Sequence, residues 1–396
     1  MFKWPLINDS FNQADKDSIT EFVNQPDVRL TQGQKVKEFE QAWSKWVGVK
    51  HSLFVNSGAS ANFMMFAVVN ELLGRKHLNE TGRKAEIITS PIGWVSDVSP
   101  IVLMNMEPVF VDVNMDNMSM SYDNIKNAIT EDTVAINLVH VLGFNAINYK
   151  LIELAAEKDL ILIEDCCESH GACFDNKRIG SFGDMSNFSF YFGHHITTVE
   201  GGMVCTNDDT LYDYLKLYRS HGMTREASPE LRDKYKNEYP DINPLFTFAV
   251  PGLNFRNQEI NAVLGLSQLP RLDYNCSKRR DNLRAWLSGL SEHIFYTDFN
   301  QNGNSSFALP LIVRNKAKRD AVCSVLEQEG VEYRIGTAGG GNQVKQPYLN
   351  TGLYNYKISG ALMNTHWIST AGLYVGNHPE LEIHQIKDLT DKLNNV

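Results

Sequence analysis

From Gln34 to Thr206 the chain alternates short β-branched runs with helix-length segments, and few folds accept that order. The runs are Glu86–Thr89, Pro108–Asp112, Thr133–His140 and Leu160–Glu164, with stretches such as Asn148–Lys158 between them. Strands that alternate with helices predict a largely parallel sheet covered by helices. Ala59–Leu73 carries apolar residues at helical spacing, and a further helix should start near Asn257. Residues 224–243 are polar and charged, as in a surface loop or excursion. Ser306–Val313 reads as a strand and Lys316–Glu329 as a helix, the start of a smaller α+β unit. A chain of 396 residues exceeds the usual single core. The expected division is a large unit over 1–270, with an N-terminal arm, and a small unit over 271–396.

Charge and cysteines narrow the function classes. A net charge of −10 argues against nonspecific binding to nucleic acid or an anionic membrane. No apolar run approaches the ~20 residues of a membrane span. Met1-Phe-Lys-Trp-Pro-Leu lacks the apolar core of a signal peptide, so the expectation is a cytoplasmic protein. The six cysteines form no CxxC pair and no His/Cys zinc pattern; free thiols and no metal are expected.

Three places carry chemistry. Asn56-Ser-Gly-Ala-Ser-Ala61 joins a strand-like run to a helix. Such a turn is either a phosphate site at a helix N-terminus or a helix start capped by Ser57 or Ser60. Asp165 ends an apolar strand, where open parallel sheets bind ligands. A carboxylate there can pair with a protonated cofactor ring nitrogen, or it can cap the next turn. Glu168, three residues on, can face the same way. Trp94 follows another strand and can stack on a flat ring or lie half-buried under its loop. His194 and His195 sit in a Gly-flanked loop without further ligands at zinc spacing. His221 reads as a structural or supporting residue.

The ordered series NSGASAN, SPIGW, VFVDV, IEDCCESHGA, SFYFGHHITTVEGGMVCTND, RSHGMTR and PGLNFRNQEINAVLGLSQL spans about residues 30–270. It resembles the sugar aminotransferase and dehydratase family of the aspartate-aminotransferase fold, and weaker similarity continues to His378. The resemblance implies an α/β fold type I enzyme, with a mostly parallel seven-stranded sheet and a smaller C-terminal α+β domain. It implies pyridoxal 5′-phosphate (PLP) and pyridoxamine 5′-phosphate (PMP) as cofactor forms. By the same resemblance Asp165 meets the pyridine nitrogen, Trp94 stacks on the ring and Glu168 lies nearby. Ser189, Ser60 and the Gly58–Ala59 backbone would hold the phosphate. Asn254 would reach the phosphate of a partner subunit, so a homodimer with shared active sites is expected. His221, Arg225, Arg256 and Arg334 are the candidate substrate-binding residues.

One position departs from the family's main pattern. Six residues before Glu200-Gly-Gly the family has the lysine that holds PLP covalently, and here that place is His194. An imidazole moves protons but cannot form that link, so the cofactor should be bound non-covalently. One branch of the family shares the replacement and removes the C3 hydroxyl of a nucleotide-linked 4-keto-6-deoxy sugar, with L-glutamate restoring the amine. A GDP-linked sugar is the expected substrate; CDP, dTDP and UDP sugars are the alternatives. An iron–sulfur branch would need clustered cysteines, which this chain lacks. An aminotransferase that borrows a lysine is the rival reading, with Lys177 and Lys216 the nearer lysines in sequence.

Overall fold

The computed structural model describes residues 3–8, 10–337 and 341–396. Its first five strands are β1 (His51–Val55), β2 (Glu86–Thr89), β3 (Glu107–Val111), β4 (Thr133–Val139) and β5 (Ile161–Asp165). A small hairpin follows, β6 (Cys173–Phe174) and β7 (Lys177–Arg178), then β8 (Met185–Ser189) and β9 (Gly202–Thr206). The C-terminal strands are β10 (Ala308–Ile312), β11 (Tyr333–Ile335), β12 (Lys357–Ser359) and β13 (Gly372–Gly376).

The main sheet runs β1-β9-β8-β5-β4-β2-β3-β12. β9 is its one reversed strand, antiparallel to both β1 and β8, while the remaining pairs are parallel. The apolar runs of the sequence are therefore strands covered on both faces, and β2, β8 and β9 are buried along their whole length. The sheet has eight strands rather than seven. The extra one, β12, pairs in parallel with β3 at the sheet edge. Lys357 holds it there by ion pairs to Glu86 and to Glu107, the latter at 3.0 Å.

The polar stretch 224–243 is not a plain loop. It contains a helix, Pro229–Glu238, whose N-cap Ser228 accepts from Leu231 N–H and whose first residue is a proline. No residue of that helix is buried, so its sequence has no apolar stripe to read.

β10, β13 and β11 form a second sheet, antiparallel throughout. Its core draws in Leu283, Trp286 and Leu287 of the helix Leu272–Gly289 and Ile386, Leu389 and Leu393 of the helix Ile383–Leu393. It also takes in Trp4 from the far end of the chain. The Trp4 indole donates to Gly376 O at 2.9 Å, and Leu6 N–H donates to Glu332 at 2.9 Å. Farther along the arm, Asp15 is fully buried and pairs with Arg271. Between these two anchors, Leu6, Ile7, Asn8, Ser10 and Phe11 lie beside the carboxyl ends of the main sheet's strands.

Candidate active site

The carboxyl ends of β1, β2, β4, β5 and β8 open into one cavity of about 1120 Å³. That is the place and roughly the size expected of a ligand site in an open α/β sheet. Its lining includes Gly58, Ala59, Trp94, Asp165, Glu168, Ser189, His194 and Arg334 of the residues singled out from the sequence.

One wall is the turn after β1. Ser57 has extended backbone and its Oγ accepts from Ser60 N–H at 3.0 Å, so it is the N-cap of the helix Gly58–Val69. Capping does not exclude the phosphate reading, because the first N–H groups of a helix have no partner within it. A Cβ on Gly58 would stand 2.6 Å from Ser189 Cβ, so only glycine lets this turn close on the end of β8. A Cβ on Gly202 would stand 2.3 Å from Ser57 O. The Glu-Gly-Gly motif thus owes its second glycine to the turn that crosses it. Ser60 bonds Asn56 Oδ1 at 2.6 Å and is not among the cavity-lining residues.

Asp165 ends β5 and is 5% exposed. Its Oδ2 accepts from Asn62 Nδ2 at 2.7 Å and Asn187 Nδ2 at 3.3 Å; its Oδ1 accepts from Cys167 N–H at 2.9 Å. Glu168 accepts from Leu142 N–H at 2.8 Å, and burial pushes its carboxyl up to about 7, with Asp165's charge adding to the effect. Trp94 stands at the rim, 57% exposed, with its indole free to cover a flat ligand.

His194 lies in the loop between β8 and β9. Burial pulls its imidazole down to about 4, while Asp165's charge pulls the other way. It is therefore a neutral ring at pH 7, the unprotonated form from which a base acts. Its ring packs 5.3 Å from Phe307 and 5.9 Å from His170. His195 also borders the cavity but is buried, with Nε2 3.2 Å from Ser305 O.

The other candidates gather elsewhere. Asn254 Oδ1 accepts from Arg256 Nε at 3.0 Å, and an Arg256 Nη lies 3.5 Å from His221 Nε2, all on exposed surface. Arg225 is also exposed and pairs weakly with Glu226 at 3.7 Å. None of these four lines the cavity of its own chain. Arg334 does, at a solvent-facing edge beside Glu332.

Sequence reasoning missed several contributors. Asn62, Asn187 and Asp97 surround Asp165, and Leu6, Ile7 and Asn8 bring the N-terminal arm over the cavity. Asp97 stands three residues after Trp94 in the same loop, which was the available signal. Behind Asp165, His140, Glu164 and Cys166 put ligand-type atoms within 4.8 Å of one another. They are already committed: Glu164 accepts from Gly180, Phe182 and Gly183 N–H groups and sits 3.2 Å from His140 Nε2. That network ties the 180–183 turn beneath β5.

Residues 12–394 match the model of the DegT/DnrJ/EryC1/StrS aminotransferase family. The chain belongs to that family. Among its DegT/DnrJ/EryC1/StrS relatives is the GDP-4-keto-6-deoxy-D-mannose 3-dehydratase of Yersinia pseudotuberculosis, 32% identical over 98% of both chains. The Escherichia coli enzyme of that name, with bound hydrated PLP, superposes with a TM-score of 0.87 at 29% identity, covering 99% of this chain and 100% of that one. A structure of a GDP-4-keto-6-deoxymannose 3-dehydratase with a trapped PLP-glutamate geminal diamine gives 0.86 at 28% identity, over 99% and 100%.

Proposed function

We propose that this protein is a PLP-dependent 3-dehydratase acting on GDP-4-keto-6-deoxy-D-mannose, with L-glutamate as amino donor and ammonia released. The observation that carries the reading is His194, which faces the cavity near Asp165 where the family's lysine would stand. The likeness to the Yersinia enzyme supports it, as do the two solved relatives, one with hydrated PLP and one with a PLP–glutamate geminal diamine.

The residues fit the cofactor. The Gly58–Ala59 turn packed on Ser189 would cradle a phosphate, and Asp165 offers a buried carboxylate for the pyridine nitrogen. When bound as PMP, the cofactor supplies an amine for the sugar's C4 carbonyl and a ring that accepts electrons. Asp165 would keep the pyridine nitrogen protonated. His194 would be the group that takes a proton at C4′ and returns one. Glu168, titrating near neutrality, is the second group placed to move a proton. A lysine in place of His194 would compete for the cofactor's aldehyde and favour completed amination.

The cavity draws residues from both proposed units, 1–270 and 271–396. We assign Asn254, His221, Arg225 and Arg256 to the site of a second copy. Beside them lies an exposed apolar surface: Leu245, Phe246, Phe248 and Leu253 are each more than half exposed. A monomer rarely leaves such a patch bare, and a C2 partner would cover it. Among the described residues no helix is long and apolar enough to cross a membrane, and we place the reaction in the cytoplasm.

Borohydride reduction tests the cofactor reading. The protein with PLP added should keep its unmodified mass and show a cofactor spectrum that L-glutamate changes. A reduced PLP adduct on Lys177, Lys216 or another lysine would overturn it.

A further inference from the structure

Asp97 plays no part in the function as described, yet it is 1% exposed, lines the same cavity as Asp165 and pairs side chain to side chain with it. Two buried carboxyls this close do not both ionise readily, because each charge opposes the other and neither is solvated. The donors around them decide where the proton sits. Asp165 accepts from three N–H groups, two of them short at 2.7 and 2.9 Å. Asp97 accepts from Trp94 N–H at 3.0 Å and from Asn137 Nδ2 at a long 3.4 Å. The better-solvated anion is Asp165.

We propose that Asp97 keeps a proton and through it donates a hydrogen bond to Asp165, so that the two carboxyls act as one unit with a single negative charge fixed on Asp165. Asp97 is then a positioning residue, acting through Asp165 and not on the substrate. The inference rests on the reading that Asp165 meets the pyridine nitrogen. One negative charge matches one pyridinium, where two buried anions would not. Burial, and after it the charge of Asp165, pushes Asp97's carboxyl well above the usual carboxylate range, in the same direction as the donor geometry. The other titratable groups bearing on the pair are Cys166, Cys167, His194, Glu168 and Tyr348.

The first test uses protein without cofactor, labelled with 13C-carboxyl aspartate, and reads the infrared stretch of protonated carboxyls at pH 7. The parent should show a labelled band that Asp97→Asn lacks. Identical spectra would mean that Asp97 is ionised and would overturn the proposal. The second test is PLP affinity. Asp97→Leu removes the donor to an ionised group and should weaken binding roughly tenfold or more. Asp97→Asn keeps an N–H donor and should recover most of that loss. Equal losses in the two variants would count against Asp97 as donor. Asp165→Asn serves as the reference: if it leaves PLP affinity unchanged, the assignment of the pyridine nitrogen to Asp165 has failed, while the infrared result still stands on its own.

Discussion

At the scale of single residues, His194 carries the account. Its loop backbone is fixed by His194 N–H donating to Tyr191 O at 3.0 Å, and its ring is partly enclosed beside Phe307. The enclosure keeps the imidazole unprotonated, the form a base needs. His194→Lys should therefore change both binding and chemistry. The variant should hold PLP covalently, seen as a reducible adduct, and its dehydration rate should fall roughly 10²–10⁴-fold, the worth of a placed acid–base group. Dehydration at the parent rate would remove His194 from that role. This residue was legible in the sequence because its motif is continuous and its spacing to Glu200-Gly-Gly is fixed. Asp97 and Asn62 were not, because they reach Asp165 from two other segments and only folding brings the three together.

Elements show the same division. Of the five strands that end at the cavity, β1, β2, β4 and β5 were readable because each is a buried run rich in apolar or β-branched residues, whereas β8, Met-Ser-Asn-Phe-Ser, carries no such run. β12 was not readable either, being three residues long with two of them exposed, held by the neighbouring β3 and by Lys357. An N-terminal arm was expected, but its place over the cavity was not legible, because its anchor Trp4 finds its core partners hundreds of residues away. The turn after β5 and the loop after β8 do carry a testable signature. They bury His170 and His195, whose imidazoles burial holds well below 6.5. As pH falls below 6.5 the unfolded chain takes up these protons and the folded chain does not, so the stability they contribute is present above 6.5 and lost below it. Each histidine should cost up to about 1.4 kcal/mol per pH unit in that window. Glu168 acts with the opposite sign: its raised carboxyl favours the folded state at low pH, and that contribution is lost as pH rises from 4.5 towards 7. A comparison with His170→Gln isolates one histidine. Urea unfolding from pH 6.5 to 5 should show a shallower loss in the variant than in the parent, and equal slopes would contradict the burial argument.

For the whole molecule, the cavity of one chain lacks Asn254, His221, Arg225 and Arg256, and these four stand beside bare apolar surface. Complementation tests the shared site. Asn254→Ala and His194→Ala should each be nearly inactive alone. Mixed dimers place both lesions in one site and leave the other intact, so activity should return to about half that of a parent dimer within the mixed class. No return after proven subunit exchange would mean that each site is built from one chain. The most direct measurement of the central claim is the product. The protein is incubated with GDP-4-keto-6-deoxy-D-mannose, PLP and excess L-glutamate, and the sugar nucleotide and ammonia are quantified together. The account predicts one ammonia per sugar consumed and a GDP-linked 4-keto sugar that has lost its C3 hydroxyl. A GDP-linked 4-amino sugar that keeps its C3 hydroxyl, with no ammonia released, would contradict it.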